Sequence, residues 1–343
     1  MRKPFTILLA GATALFTVFA HAASGLTQLP SIGCDGPIAV FYPSDAKETT
    51  LQRGPFAVRA ALQGTAVHGN GRLVVLSHGS GGSGWELSDL ARQLVAAGFV
   101  VAIPEHAGDN WHDMGKVGPE SWKIRPLEVS RAIDAVGKDV RLAPLLELDK
   151  VGMFGMSAGG HTALTLAGGR WSKSRLLEHC QAELARDFVG CTGAASELDG
   201  GALDGIKKRI AMLLIRWKLD GDDTQYGHTD PRIRAVVAGV PFAVDFDLRT
   251  LAEPAIALGI VQAERDQWLL PRFHSGPLMA ACKHCELLAS LPAAGHGALL
   301  SPLPHGLPAR VQRLLDDPPG FDRGEMPAIH QRITDFFRRQ LLN

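Results

Sequence analysis

Residues 151–160 read Val-Gly-Met-Phe-Gly-Met-Ser-Ala-Gly-Gly, an apolar run that passes through Gly155-Met156-Ser157-Ala158-Gly159 into small residues ending near Gly168. The run has the length of a buried strand, and the Ala- and Gly-rich stretch behind it suits a helix packed closely on a sheet. G-x-S-x-G at such a junction is a strand-to-helix turn that lifts a serine hydroxyl off the end of the sheet. It uses glycine because a Cβ at either flank would clash in so tight a turn. The serine then faces a helix N-terminus, whose free N–H groups and positive dipole end favour developing negative charge.

Working outward, apolar runs at 73–77 (LVVLS), 99–104 (FVVAIP), 233–240, 255–261 and 286–291 read as further buried strands. Helical patterns lie between or after them at 87–97, from Pro126 to about Lys138, and at 327–342. Strands alternating with helices predict an α/β fold, a mostly parallel sheet with helices on both faces. Residues 171–230 interrupt the alternation with charged sequence and helical patches, and read as a cap-like helical insertion above the strand ends, where open α/β sheets bind ligands.

The chain has 343 residues with 35 Lys+Arg against 35 Asp+Glu. That balance, without a basic stripe, argues against nucleic acid as a partner. Arg2 and Lys3, the apolar run 5–19 and Ala20-His21-Ala22 have the layout of a secretory signal over residues 1–22, leaving 23–343 as one domain. The run is too short to span a bilayer comfortably, so the exported protein, secreted or periplasmic, is expected to be soluble and without a stable membrane anchor. Export makes Cys34, Cys180, Cys191, Cys282 and Cys285 candidates for disulfides. Cys180 and Cys191 form a local pair if the chain turns near Gly190; a continuous helix would hold them about 16 Å apart. Cys282-Lys283-His284-Cys285 resembles half of a redox or zinc site, but with no second half in the sequence the pair reads as a structural staple or plain buried thiols.

A serine nucleophile needs a base and an acid, which follow it in this fold order. Of the 13 histidines, His296 in Ala-Ala-Gly-His-Gly lies just beyond the last predicted strand, with small neighbours that would let the imidazole swing towards Ser157. His305 is the runner-up, and His161 sits one turn into the serine's own helix. Asp266 ends the strand before the His296 strand; Asp245, Asp247 and Glu264 are the alternatives. His78-Gly79-Ser80-Gly81-Gly82 after the 73–77 strand supplies an oxyanion loop, with the N–H groups of Ser80 and Ala158 as donors. Trp111 and Trp122, in a polar loop expected over 105–125, offer walls for an apolar substrate pocket. Nothing in this chemistry calls for a metal or organic cofactor.

These residues together resemble the α/β-hydrolase superfamily, and within it the secreted serine esterases related to dienelactone hydrolases and platelet-activating-factor acetylhydrolases. The similarity is densest over 73–110, LVVLSHGSGGSGWELSDLARQLVAAGFVVAIPEHAGDN, and includes Arg125-Pro126, GMSAGG at 155–160 and Gly295-His296. It implies an α/β-hydrolase fold and hydrolysis of a small-molecule carboxylic ester through an acyl-enzyme. Dienelactone hydrolases carry a cysteine where Ser157 stands, which points to ordinary ester chemistry. The acetylhydrolases take their acid after the strand corresponding to 233–240, unlike Asp266. A peptidase or amidase, a phospholipid acyl hydrolase, and an inactive binding module on the same scaffold are the other readings of this sequence.

Overall fold

The computed structural model describes residues 23–193 and 196–343; the signal-sequence reading of 1–22 lies outside the described residues. Six parallel strands form one side of a ten-stranded sheet, out to its edge: β5 (Leu73–Ser77), β6 (Val100–Pro104), β7 (Val151–Met156), β9 (Ile233–Gly239), β11 (Ala257–Ala263) and β12 (Glu286–Leu291). Two-residue strands β8 (Arg170–Trp171) and β10 (Phe246–Asp247) pair with each other outside it. The order β12-β11-β9-β7-β5-β6 reverses at β5, because the chain steps first to β6 on one side and then to β7 on the other. Such a reversal opens a crevice at the carboxyl ends of the strands, here between β5 and β7.

Side chains alternate across this sheet, as the period-2 geometry of a strand requires. Leu73, Val75, Met153 and Val236 pack into one core layer beneath α2 (Pro119–Lys138) and α3 (Ala158–Leu166). Val74, Leu76, Phe154 and Val237 pack into the other beneath α1 (Ser88–Ala96) and α9 (Met326–Leu341). In α9, Ile329, Ile333, Phe336 and Phe337 repeat at helical spacing and are buried together. Both faces of the central strands are therefore covered, which is why β5, β6 and β7 are buried along their whole length.

Two features depart from the sequence expectations. Strands β1 (Ala23–Leu29), β2 (Ile38–Ser44), β3 (Thr49–Arg53) and β4 (Phe56–Leu62) extend the sheet beyond β6, with β2 antiparallel to β6 and to β1. The polar, exposed β3 ends the sheet; a charged, short edge strand discourages pairing with other chains. Helix α2 begins at Pro119, not Pro126, so most of the expected 105–125 loop is shorter and Trp122 is helical. Pro119 takes the first-turn place where a missing N–H costs nothing, while Pro126 sits inside the helix beside the fully buried Arg125, whose hydrogen bonds tie this part of the helix down.

Residues 171–230 do form a helical segment, with α4 (Lys173–Glu183), α5 (Phe188–Thr192) and α6 (Asp204–Leu219) packed on one another. The chain turns between α4 and α5, which brings Cys180 and Cys191 to a Cα separation of 5.7 Å and into a disulfide. Cys282 and Cys285, just after α7 (Ser275–Ala281), form a second disulfide, and Cys34 is free and exposed. His284 accordingly lies in that small loop and not on a helix. Among the described residues no helix is long and apolar enough to cross a membrane.

Candidate functional site

Ser157 follows β7 directly and adopts φ 59° and ψ −117°, a conformation that L-residues avoid. The turn is held by its own backbone: Ser157 N–H donates to Gly239 O at 3.0 Å, and Phe242 N–H donates to Ser157 O at 3.3 Å. The flanking glycines are steric requirements. A Cβ on Gly155 would lie 1.9 Å from Gly159 O, and one on Gly159 would lie 2.0 Å from Ser77 O. Val240, one residue beyond β9, is also forced to a positive φ of 37° beside this turn. Two strained residues next to each other mark a place where surrounding structure overrides local preference.

His296 reaches Ser157 from the loop after β12. Its Nε2 is 3.0 Å from Ser157 Oγ, and its Nδ1 is 2.7 Å from Asp266 Oδ2. The other carboxylate oxygen, Oδ1, accepts the backbone N–H groups of Trp268 and Leu269, each at 2.8 Å. Asp266 and His296 are buried while Ser157 is partly open. The small neighbours of His296 serve packing more than motion: a Cβ on Gly297 would lie 2.0 Å from Leu315 O, in α8 (Ala309–Leu315). Arg323 donates to Leu300 O and Gly297 O at 2.6 and 3.0 Å and pins the same turn. Trp268 lies against the imidazole with ring centroids 5.0 Å apart.

The glycine loop after β5 borders the serine, since a Cβ on Gly79 would come within 3.6 Å of Ser157 Cβ. Arg125, fully buried, donates to His78 O at 2.6 Å and to Gly79 O at 3.4 Å, and pairs with Asp109 at 2.8 Å. A trans peptide points its N–H opposite to its C=O. Holding those two carbonyls therefore aims the N–H groups of Gly79 and Ser80 away from Arg125, and neither makes a hydrogen bond among the described residues. The Ser80 side chain is turned aside, donating to Asp109 Oδ1 at 2.6 Å. Burial alone would raise the Asp109 carboxyl, but Arg125, Ser121, Ser80 and Gly81 outweigh it and hold it at about 2. The Ala158 N–H belongs to the first turn of α3 and has no intrahelical acceptor.

Beneath the loop lies a second serine–histidine–acid row. Ser77 Oγ is 2.7 Å from His106 Nε2, and His106 Nδ1 is 2.6 Å from Glu128 Oε2. Ser77 and His106 have no exposed surface, so this row supports the loop and cannot meet a solute. Burial, with Arg125 nearby, pushes His106 well below the ordinary histidine range.

The remaining sequence candidates are spread elsewhere. His305 is exposed and takes no part in the row's hydrogen bonds. Asp245 pairs with the buried His161 at 3.1 Å; Asp247 caps a short 3-10 turn; Glu264 accepts from Ser290. Trp122 is buried and stacked on His161 with centroids 4.6 Å apart, and Trp171 and Phe242 complete the nest, so Trp122 is core and not a pocket wall. Trp111 is 64% exposed, its backbone N–H donates to Gly82 O at 3.0 Å, and its ring lies edge-on to His112 with centroids 4.9 Å apart. Sequence reasoning missed Asp109 and Trp268, and gave Arg125 no role; nothing local marks a charge for complete burial.

His179, Asp187 and Cys191 bring ligand atoms within 4.8 Å of one another. The Cys191 sulfur is bonded to Cys180, which removes it as a thiolate ligand. Burial opposes ionisation of Asp187, but the hydrogen bond with His179 at 2.7 Å, and His274 Nε2 at 3.6 Å, prevail and lower it to about 2. The group reads as a polar brace between α4 and the start of α5. No protein-family model and no curated protein sequence matches this chain.

Proposed function

We propose that this protein is a serine hydrolase of the α/β-hydrolase type that cleaves carboxylic esters through an acyl-enzyme. The observation that carries this reading is the continuous row Ser157 Oγ–His296 Nε2 at 3.0 Å and His296 Nδ1–Asp266 Oδ2 at 2.7 Å, at the mouth of a parallel sheet. His296 takes the proton from Ser157 as its oxygen attacks the ester carbonyl. Asp266 fixes the tautomer and stabilises the imidazolium without taking the proton itself. The oxyanion rests on the N–H groups of Ser80 and Ala158, and His296 then hands its proton to the departing alcohol. Water repeats the sequence on the acyl-enzyme.

The reversal of strand order between β5 and β7 supports a substrate crevice at this edge. Trp111 and Met114, both mainly exposed beside the glycine loop, supply an apolar rim for the acyl or alkoxy group. Residues 171–230 act in this reading as a cap, and the two disulfides support export to an oxidising compartment. The test is turnover of p-nitrophenyl esters of graded acyl length beside a peptide p-nitroanilide, with a fluorophosphonate probe followed by intact mass. Ester turnover and one adduct, both absent in Ser157→Ala, are expected. Absence of turnover and of any adduct on Ser157 would remove the reading.

A further inference from the structure

Helix α6 buries Ala211, Ile215 and Leu219 at four-residue spacing against the rest of its segment. A surface helix should be polar on its other side. Here Leu203 at the N-cap, then Ile206, Ile210, Leu213, Leu214 and Trp217 are all more than half exposed, Trp217 at 82%. At about 100° per residue these six fall within an arc of about 100°, nearly opposite the buried stripe. Arg209 and Arg216 border the arc on one side, Lys207 and Lys218 on the other. Lys207 is paired with Asp199 and Asp204, whereas the side chains of Arg209, Arg216 and Lys218 have no hydrogen bond or ion pair among the described residues.

We propose that α6 lies on an anionic lipid surface, apolar arc down, as a reversible interfacial anchor. An apolar stripe with a Trp, bordered by cations on both margins, matches acyl chains below and anionic head groups alongside. A second copy fits poorly: whichever way two such helices pair face to face, basic margins meet basic margins. The helix, about 24 Å long, lies on the bilayer and does not cross it. Its start is tied through Lys207 and Glu197 to Arg313 of α8, the helix behind the His296 turn, so a surface-bound molecule carries its site close to the interface. This inference stands apart from ester hydrolysis, and its test reads no activity.

The full chain and its variants are partitioned onto phosphatidylcholine vesicles with and without 30% phosphatidylglycerol, so that any contribution of residues 1–22 is common to all. Leu213→Ser with Trp217→Ser should lower partition onto the anionic vesicles by about tenfold or more. Arg209→Gln with Arg216→Gln should do so on anionic vesicles only, and about 0.5 M salt should erase that difference. Brominated acyl chains should quench Trp217, a signal lost in Trp217→Phe although that variant still binds. Equal partition of wild type and both double variants would overturn the proposal, as would quenching unchanged by Trp217→Phe. So would a dimer in sedimentation that the apolar double variant dissolves while vesicle binding is absent.

Discussion

Replacing Asp266 by Asn tests the proposed row through a proton that must point the wrong way. Asp266 Oδ1 accepts two backbone N–H groups at 2.8 Å, so in the variant the amide oxygen stays there and the NH2 group faces His296. An NH2 donor 2.7 Å from Nδ1 makes that nitrogen an acceptor and moves the imidazole proton to Nε2. Nε2 then donates to Ser157 Oγ and cannot take its proton. The loss expected is about 10⁴ in kcat, or about 5.4 kcal/mol of barrier, the scale seen when a triad histidine is held in the wrong tautomer. The fold should hold, because every hydrogen bond has a replacement; thermal unfolding within a few degrees of wild type checks that. Asp245→Asn, which alters the buried His161 pair, is the control and should lose less than about tenfold. A kcat for Asp266→Asn within about tenfold of wild type, measured on a p-nitrophenyl ester, would refute the assignment.

Gly159→Ala forces a Cβ to 2.0 Å from Ser77 O and should destabilise the protein by about 2–3 kcal/mol in urea unfolding. Gly205→Ala meets nothing within 4 Å on α6 and should instead stabilise by about 0.5–1 kcal/mol. Glu86 is buried against Gly82, and burial raises its carboxyl from 4.5 to about 8. The folded protein therefore holds a proton that the unfolded chain has released, so Glu86 costs nothing below pH 4.5 and lowers stability increasingly as pH rises to about 8. Glu86→Gln should flatten that fall, read as chemical unfolding midpoints from pH 5 to 9. Arg125→Met leaves Asp109 buried without its cation and should cost about 3–5 kcal/mol, with faster hydrogen exchange in the 78–82 loop.

What the sequence disclosed follows physical locality. The Ser157 turn is legible because its steric demands fall on its immediate neighbours, Gly155 and Gly159. Asp266 and His296 are favoured over His305, Asp245, Asp247 and Glu264 from strand order and the small neighbours of His296, since parallel strands deliver their trailing loops to one edge. Arg125 and Asp109 could not, because their pairing depends on burial contributed by β5, the 105–118 segment and α2 together. Trp122 went astray for a related reason: a helix start at Pro119 or at Pro126 looks equally good locally, and only packing on His161 decides. The strands β1 to β4 escaped notice because their alternation is short, as in Phe56–Leu62, and their pairing is mostly antiparallel and remote from the helical rhythm that follows.

Ser157 and its histidine are 139 residues apart, and the histidine hangs from β12, the strand at one end of the sheet, which touches only β11 within it. Contacts so distant along the chain form late, since loop closure precedes any gain from them. On the proposed reading, a refolding molecule thus holds Ser157 before His296 can reach it. Sheet formation by far-UV dichroism should run ahead of reactivity towards a fluorophosphonate, and the lag should lengthen when the β11–β12 contact is weakened. Reagent added at timed intervals after dilution from denaturant would measure that lag directly, turning the reach between two residues into a clock for the last strand to dock.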